Sequence, residues 1–347
     1  MKEDVLAKKN NEDNIYISLN SELTSKMSKD AYTCATLNNT FTIFKSISNK
    51  FYLIFSNSNN SIICYDLDNL QIINEIKNSH NKSISNFRHH LDIKNKRDII
   101  LSISYDDNNI KLWNLQTWEC LLNLININNN GYLFSACLLN ENNEIFLVTS
   151  NYDNYHAYSE PIKIFDFDGK KIKEIDNSNK KTYFIDAHYD KYLSENFIIA
   201  CYKGSVISFN YNKNEIYKKY YDFFSEEKSH SSTIIKNDDK IVKLFESCYD
   251  GIVRIWDFHQ GLLLGRITVN DECLNNICLW KEDYLFVACD DGYIKLIDLK
   301  KGKIIQNKCN ESNEILTIKS LIHPKFGNCL LAQSLGKEQI KVYSINN

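Results

Sequence analysis

Seven segments of the chain share one local pattern, a polar turn followed by alternating apolar residues that end on a bulky side chain. They are NSNNSIICYDL (57–67), YDDNNIKLWNL (105–115), SEPIKIFDF (159–167), YKGSVISFNY (202–211), YDGIVRIWDF (249–258), CDDGYIKLIDL (289–299) and LGKEQIKVYSI (335–345). The bulky position falls at Tyr65, Trp113, Phe165, Phe209, Trp256, Ile297 and Tyr343, with gaps of 48, 52, 44, 47, 41 and 46 residues. Each copy follows an apolar run such as FYLIFS, DIILSIS or KIVKLFES, and most precede another short run such as QIINEI, ECLLNL or LLLGRI. Short strands at this density, separated by turn residues, make an all-β chain. No long segment carries a 3.6-residue period, so helices are expected to be minor. At 347 residues the chain would ordinarily suggest two domains, but a repeat architecture adds a slice of core with every unit.

Within SCYDGIVRIWDF (247–258), Asp250 can bond its own turn and Gly251 supplies the positive φ of a tight hairpin. Ile252, Arg254 and Trp256 then share one strand face, and Val253 and Ile255 the other. Both faces are mainly apolar, as expected when each side of a sheet packs on a neighbour. The last unit ends on its third strand, KVYSINN, so one outer strand is missing. Near the other terminus IYISL (15–19) is an isolated apolar run, and it is expected to pair beside Lys341 to Ile345, covering an exposed edge. Residues 1–13 are polar and are expected to be disordered.

This layout resembles the WD-repeat (WD40) family across roughly residues 32–347. The resemblance implies a single seven-bladed β-propeller of four-stranded antiparallel blades over residues 14–347, closed by the N-terminal strand. The blades would span about 32–77, 78–125, 126–176, 177–221, 222–269, 270–309 and 310–347 plus 15–19. Asn78-Ser79-His80 and Lys228-Ser229-His230 stand where the family places Gly-His, 33 and 26 residues before Trp113 and Trp256. In the family this His joins a turn Asp, a strand Ser/Thr and the Trp in a structural hydrogen-bond network. The matching residues are His80, Asp107 and Trp113, and His230, Asp250 and Trp256, with no secure Ser/Thr member in either unit.

Composition limits function. A net charge of −3 and a pI near 6.3 argue against broad nucleic-acid binding. No run approaches the length of a membrane-spanning helix, so membrane insertion is not expected. The N-terminus has no apolar signal region, and the eleven cysteines contain no CxxC, so a reduced, cytoplasmic setting is expected. There is no GxSxG, P-loop, HExxH or calcium loop, and no ligand-spaced cluster, so no cofactor, metal or catalytic residue is assigned. The carboxylate pairs Asp106-Asp107 and Asp290-Asp291 are accounted for by turn chemistry.

Binding is the better expectation. In a propeller the turns between second and third strands gather on one face with the connections between blades, and the residue before the turn Asp points out around the channel. Ser58, Asp106, Tyr152, Tyr202, Tyr249, Asp290 and Gly336 hold that position, and Tyr152, Tyr202 and Tyr249 come from consecutive blades. Such tyrosines can anchor a partner or merely shield the turn beneath them. The third unit also carries an extended segment, NYHAYSEP, whose Tyr155, His156 and Tyr158 suggest a recognition loop. The expected function is a non-catalytic scaffold binding proteins or peptides through this face. The alternatives are a constitutive subunit of a larger complex, of cytoskeletal, coat or ubiquitin-ligase type, and a propeller hydrolase with a site in the channel.

Overall fold

The computed structural model describes residues 15–28, 40–125, 127, 132–152, 161–176, 181–225, 228, 230–237, 241–308, 313–336 and 339–346. They form seven four-stranded antiparallel sheets, a seven-bladed β-propeller. In blades 1 to 6 the four strands follow one another in sequence. In blade 7 the outermost strand is Tyr16–Leu19, paired with Ile340–Asn346 in the register Ile17 to Ile345 and Leu19 to Tyr343. The expected closure is therefore present. Residues 1–13, expected to be disordered, lie outside the described residues.

The core lies between the sheets. Each of seven apolar clusters is built from two adjacent blades. One of them joins Cys329, Leu331 and Val342 of blade 7 to Phe41, Leu53 and Tyr65 of blade 1, which closes the ring. Trp256 packs toward blade 4 while Val253 and Ile255 pack toward blade 6. That two-sided burial is why the third strands read as almost continuous apolar runs. The outer strands face water, and Gln71–Ile76 is mostly exposed.

A basic residue two positions before the bulky one ties several blades to the chain entering them. Lys111 Nζ donates to Ser79 O at 2.6 Å, Lys163 Nζ to Ile127 O at 2.9 Å and Lys295 Nζ to Val269 O at 2.9 Å. In blade 5 Arg254 takes this role and donates from Nε to Asp222 Oδ2 at 2.6 Å.

One helix, Ser21–Ser28, follows the closing strand. Asn20 caps it by accepting Leu23 N–H at 3.0 Å, and Leu23 seals the junction of blades 7 and 1. Among the described residues no helix is long and apolar enough to cross a membrane.

The hydrogen-bond network expected from the resemblance forms in part in blade 2 and fails in blade 5. Ser102 supplies the missing hydroxyl: it accepts the Trp113 indole N–H at 2.9 Å and lies 2.8 Å from His80 Nε2. Asp107 is not a partner of His80. Its carboxylate accepts Lys82 N–H at 2.8 Å, and His80 Nδ1 is buried without a hydrogen bond among the described residues. In blade 5 Glu246 stands where Ser102 stands in blade 2, since each faces the residue two before the Trp. The larger, charged side chain redirects the site. His230 Nδ1 lies 3.1 Å from Glu246, Asp250 pairs with Arg254 at 2.5 Å, and Trp256 Nε1 is buried with no hydrogen-bond partner among the described residues. Asp250 also accepts Ile252 N–H at 3.1 Å, the turn bond expected of it.

Candidate protein-binding face

Each inner strand starts on the loop-bearing face, and in blades 2 to 7 it starts with the same irregularity. The ladder shifts register by one residue at Ile84/Asn86, Leu133/Ser135, Thr182/Phe184, His230/Ser232, Leu274/Asn276 and Ile315/Thr317. A bulge frees its extra residue from the pleat and re-aims it. The freed residues are Ser85, Phe134, Tyr183, Ser231, Asn275 and Leu316, one per blade around the channel mouth.

Phe134 and Tyr183 are the aromatic pair of this ring. Their rings meet edge to face at 6.0 Å, and Tyr105 meets Phe134 in the same way at 5.9 Å. Tyr249 continues the arc from blade 5. It is 38% exposed, and burial of its hydroxyl side, with Cys273, Asp290, Tyr183 and Glu314 around it, pushes the phenol up to about 12. It therefore stays neutral across the physiological range.

Beside Tyr249 the mouth is acidic. Asp290 accepts from Asn275 Nδ2 at 2.5 Å. Burial, together with the negative charges of Asp290 and Glu272, raises the Glu314 carboxyl above its usual range. Cys273 beside them is pushed up to about 11 by burial and by Asp290, which makes it a poor nucleophile at neutral pH. Flat neutral rings facing carboxylates suit a side chain that is apolar along its length and cationic at its end, held by charge and by ring quadrupoles.

Below the mouth the inner strands bring charges together across the channel. Arg88, Asp186 and Lys319 occupy the same register in blades 2, 4 and 7, opposite Leu101, Ile199 and Leu331. Arg88 reaches blade 4, donating to Asp186 at 3.1 Å and to Ile185 O at 2.9 Å. Burial, reinforced by the charge of Arg88, lowers Lys319 to about 8. Among the described residues no group of three or more His, Cys, Asp or Glu could hold a metal ion.

The sequence-derived positions divide clearly. Asp106 is exposed beside Tyr105, and Asp290 and Tyr249 lie at the mouth. Tyr202 does not. It is 1% exposed and packs among Ile162, Ile175 and Ile198 between blades 3 and 4. The cause is turn length. Blade 4 turns through two residues, Lys203 and Gly204, with Tyr202 still paired to Ser205, whereas Tyr249 lies beyond the ladder of blade 5. One residue fewer sends the ring to the opposite side. Tyr152 ends a described strand, but Tyr155, His156 and Tyr158 lie outside the described residues.

Phe134, Tyr183 and Glu314 were missed because they belong to inner strands and their leads rather than to the repeated turn. Phe134 is the third residue of its inner strand and Tyr183 the second of its own, so aligning strand starts does not set them side by side either.

No family model matches the chain. A stretch of 118 residues, 34% of the chain, is 27% identical to the U3 small nucleolar RNA-associated protein 21 homolog of Schizosaccharomyces pombe. The match covers 13% of that protein's length.

Proposed function

We propose that this chain is a non-catalytic scaffold of WD-repeat type that binds a protein or peptide at the channel mouth of its loop-bearing face. The observation that carries the reading is the juxtaposition of the Tyr105–Phe134–Tyr183–Tyr249 arc with Asp290, Glu314 and Glu272. It favours a partner segment with a basic side chain flanked by apolar ones, Tyr249 covering the stem and the carboxylates taking the charge. The lumen supports a binding role over hydrolysis, since Asp186 is already paired with Arg88 and a second cation, Lys319, occupies the same layer.

The test compares partner recovery from native cells by the wild-type chain and by Tyr183→Ala plus Tyr249→Ala. Recovery should fall for partners that are displaced by Lys- or Arg-containing apolar peptides. Full retention of every partner by the double variant places recognition elsewhere.

A second reading, a constitutive subunit of a larger assembly, draws on the connection between blades 4 and 5. Phe223 and Phe224 are each 72% exposed there on a short 3-10 turn. Asp222 holds that turn rigid, accepting from Arg254 at 2.6 Å and from Arg266 at 2.7 Å. Two phenyl rings fixed in water are typical of a surface that is covered in its working state. The relative's printed association with a small nucleolar RNA is compatible with such an assembly. Loss of co-purifying subunits from Phe223→Ser plus Phe224→Ser, with the mouth variant unaffected, would favour this reading.

A further inference from the structure

The face opposite the loops carries a second surface, formed where the inner strands turn into the second strands. Ring symmetry sets these turns at one level. Leu91, Tyr189 and Ile322 are the penultimate residues of the inner strands of blades 2, 4 and 7, and all three side chains are exposed. Ile93 at 69% and Ile322 at 60% are the most open aliphatic tips, and Ile47 projects from the turn between them. A soluble surface seldom gathers aliphatic tips at one height.

On the inner turns of blades 7, 1 and 2 the exposed charges have one sign, whereas the neighbouring inner turn of blade 3 carries the exposed Glu144. The inner turns of blades 7, 1 and 2 carry Lys325, Lys45, Lys50, Lys94 and Lys96, all exposed, and among the described residues none of these ammonium groups is ion-paired. The carboxylates of the same turns face inward. Asp92 accepts from Arg97 and Asn95, and Asp98 from His89, Gln116 and Ile47 N–H. Asp68, from an outer turn, is held by His323 and Phe51 N–H. Glu119 is exposed, but on the outer turn of blade 2.

We infer that this face docks on an anionic lipid surface. Aliphatic tips spread over three neighbouring blades favour a planar partner over a single extended peptide. Shallowly inserted Ile and Leu beside lysines at headgroup height is the chemistry by which a soluble domain holds such a bilayer without spanning it. Tyr189 and Tyr192 extend the same level with rings suited to the interface.

The test is flotation of the purified chain with phosphatidylcholine vesicles, with and without phosphatidylserine. The wild type should float with the anionic vesicles and be released by salt. Lys94→Ala plus Lys96→Ala should weaken binding roughly 30-fold, at about fivefold per lysine near an anionic surface. Ile93→Asp plus Ile322→Asp should abolish it while the circular dichroism and elution volume stay unchanged. Tyr183→Ala plus Tyr249→Ala should float like the wild type, which separates this face from the channel mouth. The inference is overturned if the wild type ignores anionic vesicles, or if the aspartate variant still floats. It is equally overturned if an acidic amphipathic peptide binds at these residues while vesicles do not.

Discussion

Ser102 Oγ accepts the indole N–H of Trp113 at 2.9 Å, so a single hydroxyl ties the third strand of blade 2 to its second strand and, through His80, to the loop that enters the blade. Ser102→Ala leaves a buried indole N–H and a buried imidazole nitrogen without this partner. The expected loss is about 1–3 kcal/mol, the desolvation cost of stranded polar groups. Urea unfolding of the two proteins, with a lower midpoint and an unchanged slope for the variant, checks it.

Asp222 should make the protein acid-sensitive. Its two bonds to Arg266, aided by Arg254, hold the carboxyl far below the usual carboxylate range. A depressed folded pKa means stability that is present above the unfolded value near 3.8 and lost as pH falls below it. Asp222→Asn should cost about 3–5 kcal/mol at pH 7, because Arg266 loses its carboxylate partner and buried Arg254 loses one of its own, keeping Asp250. The gap between wild type and variant should then narrow below pH 3.8. Paired denaturation curves at neutral and acidic pH read both effects.

Gly251 is a steric requirement of the fifth blade. Its φ is +78°, and a methyl group there would sit 1.9 Å from the carbonyl oxygen of Asn270. Gly302 also has positive φ, +62°, but open space around it. Gly302→Ala should cost about 1 kcal/mol for conformation alone. Gly251→Ala should cost clearly more, since backbone must move. The difference in melting temperature between the two variants isolates the clash.

Glu314 should impose a pH dependence on recognition at the mouth. Its pKa is raised above 4.5 by burial and by Asp290 and Glu272, so affinity for a Lys-containing peptide should climb as pH rises through that elevated value. Fluorescence anisotropy of such a peptide across mildly acidic pH would show the rise, and Glu314→Gln should flatten it.

The ring, its blade count and the closing strand were legible because they follow from features that repeat: the turn-plus-strand unit and one unpaired apolar run at 15–19. The mouth was only partly legible. Turn alignment pointed to Tyr249 and Asp290, which lie near one another at the mouth, and to Tyr202, which lies buried between blades 3 and 4, since a turn shorter by one residue reverses facing and sequence similarity hides the change. Phe134 and Tyr183 depend on bulges, which leave no fixed residue type. The substitution of Glu246 for a hydroxyl in blade 5 became intelligible only once Arg254, Asp222 and Arg266 were seen to surround it, a network assembled from three separate elements. Helix Ser21–Ser28 was hidden by its brevity, which gives too few turns for a period to emerge.

The pairing of Ile17 with Ile345 has a kinetic consequence. During synthesis the upstream strand leaves the ribosome long before its mate exists, so the seventh sheet keeps a bare hydrogen-bonding edge while the other six can already assemble. Final locking joins segments more than 300 residues apart, a slow step by loop-closure entropy. A nascent chain of this kind needs either a holding partner or a fast escape from its neighbours until the Ile340–Asn346 strand appears.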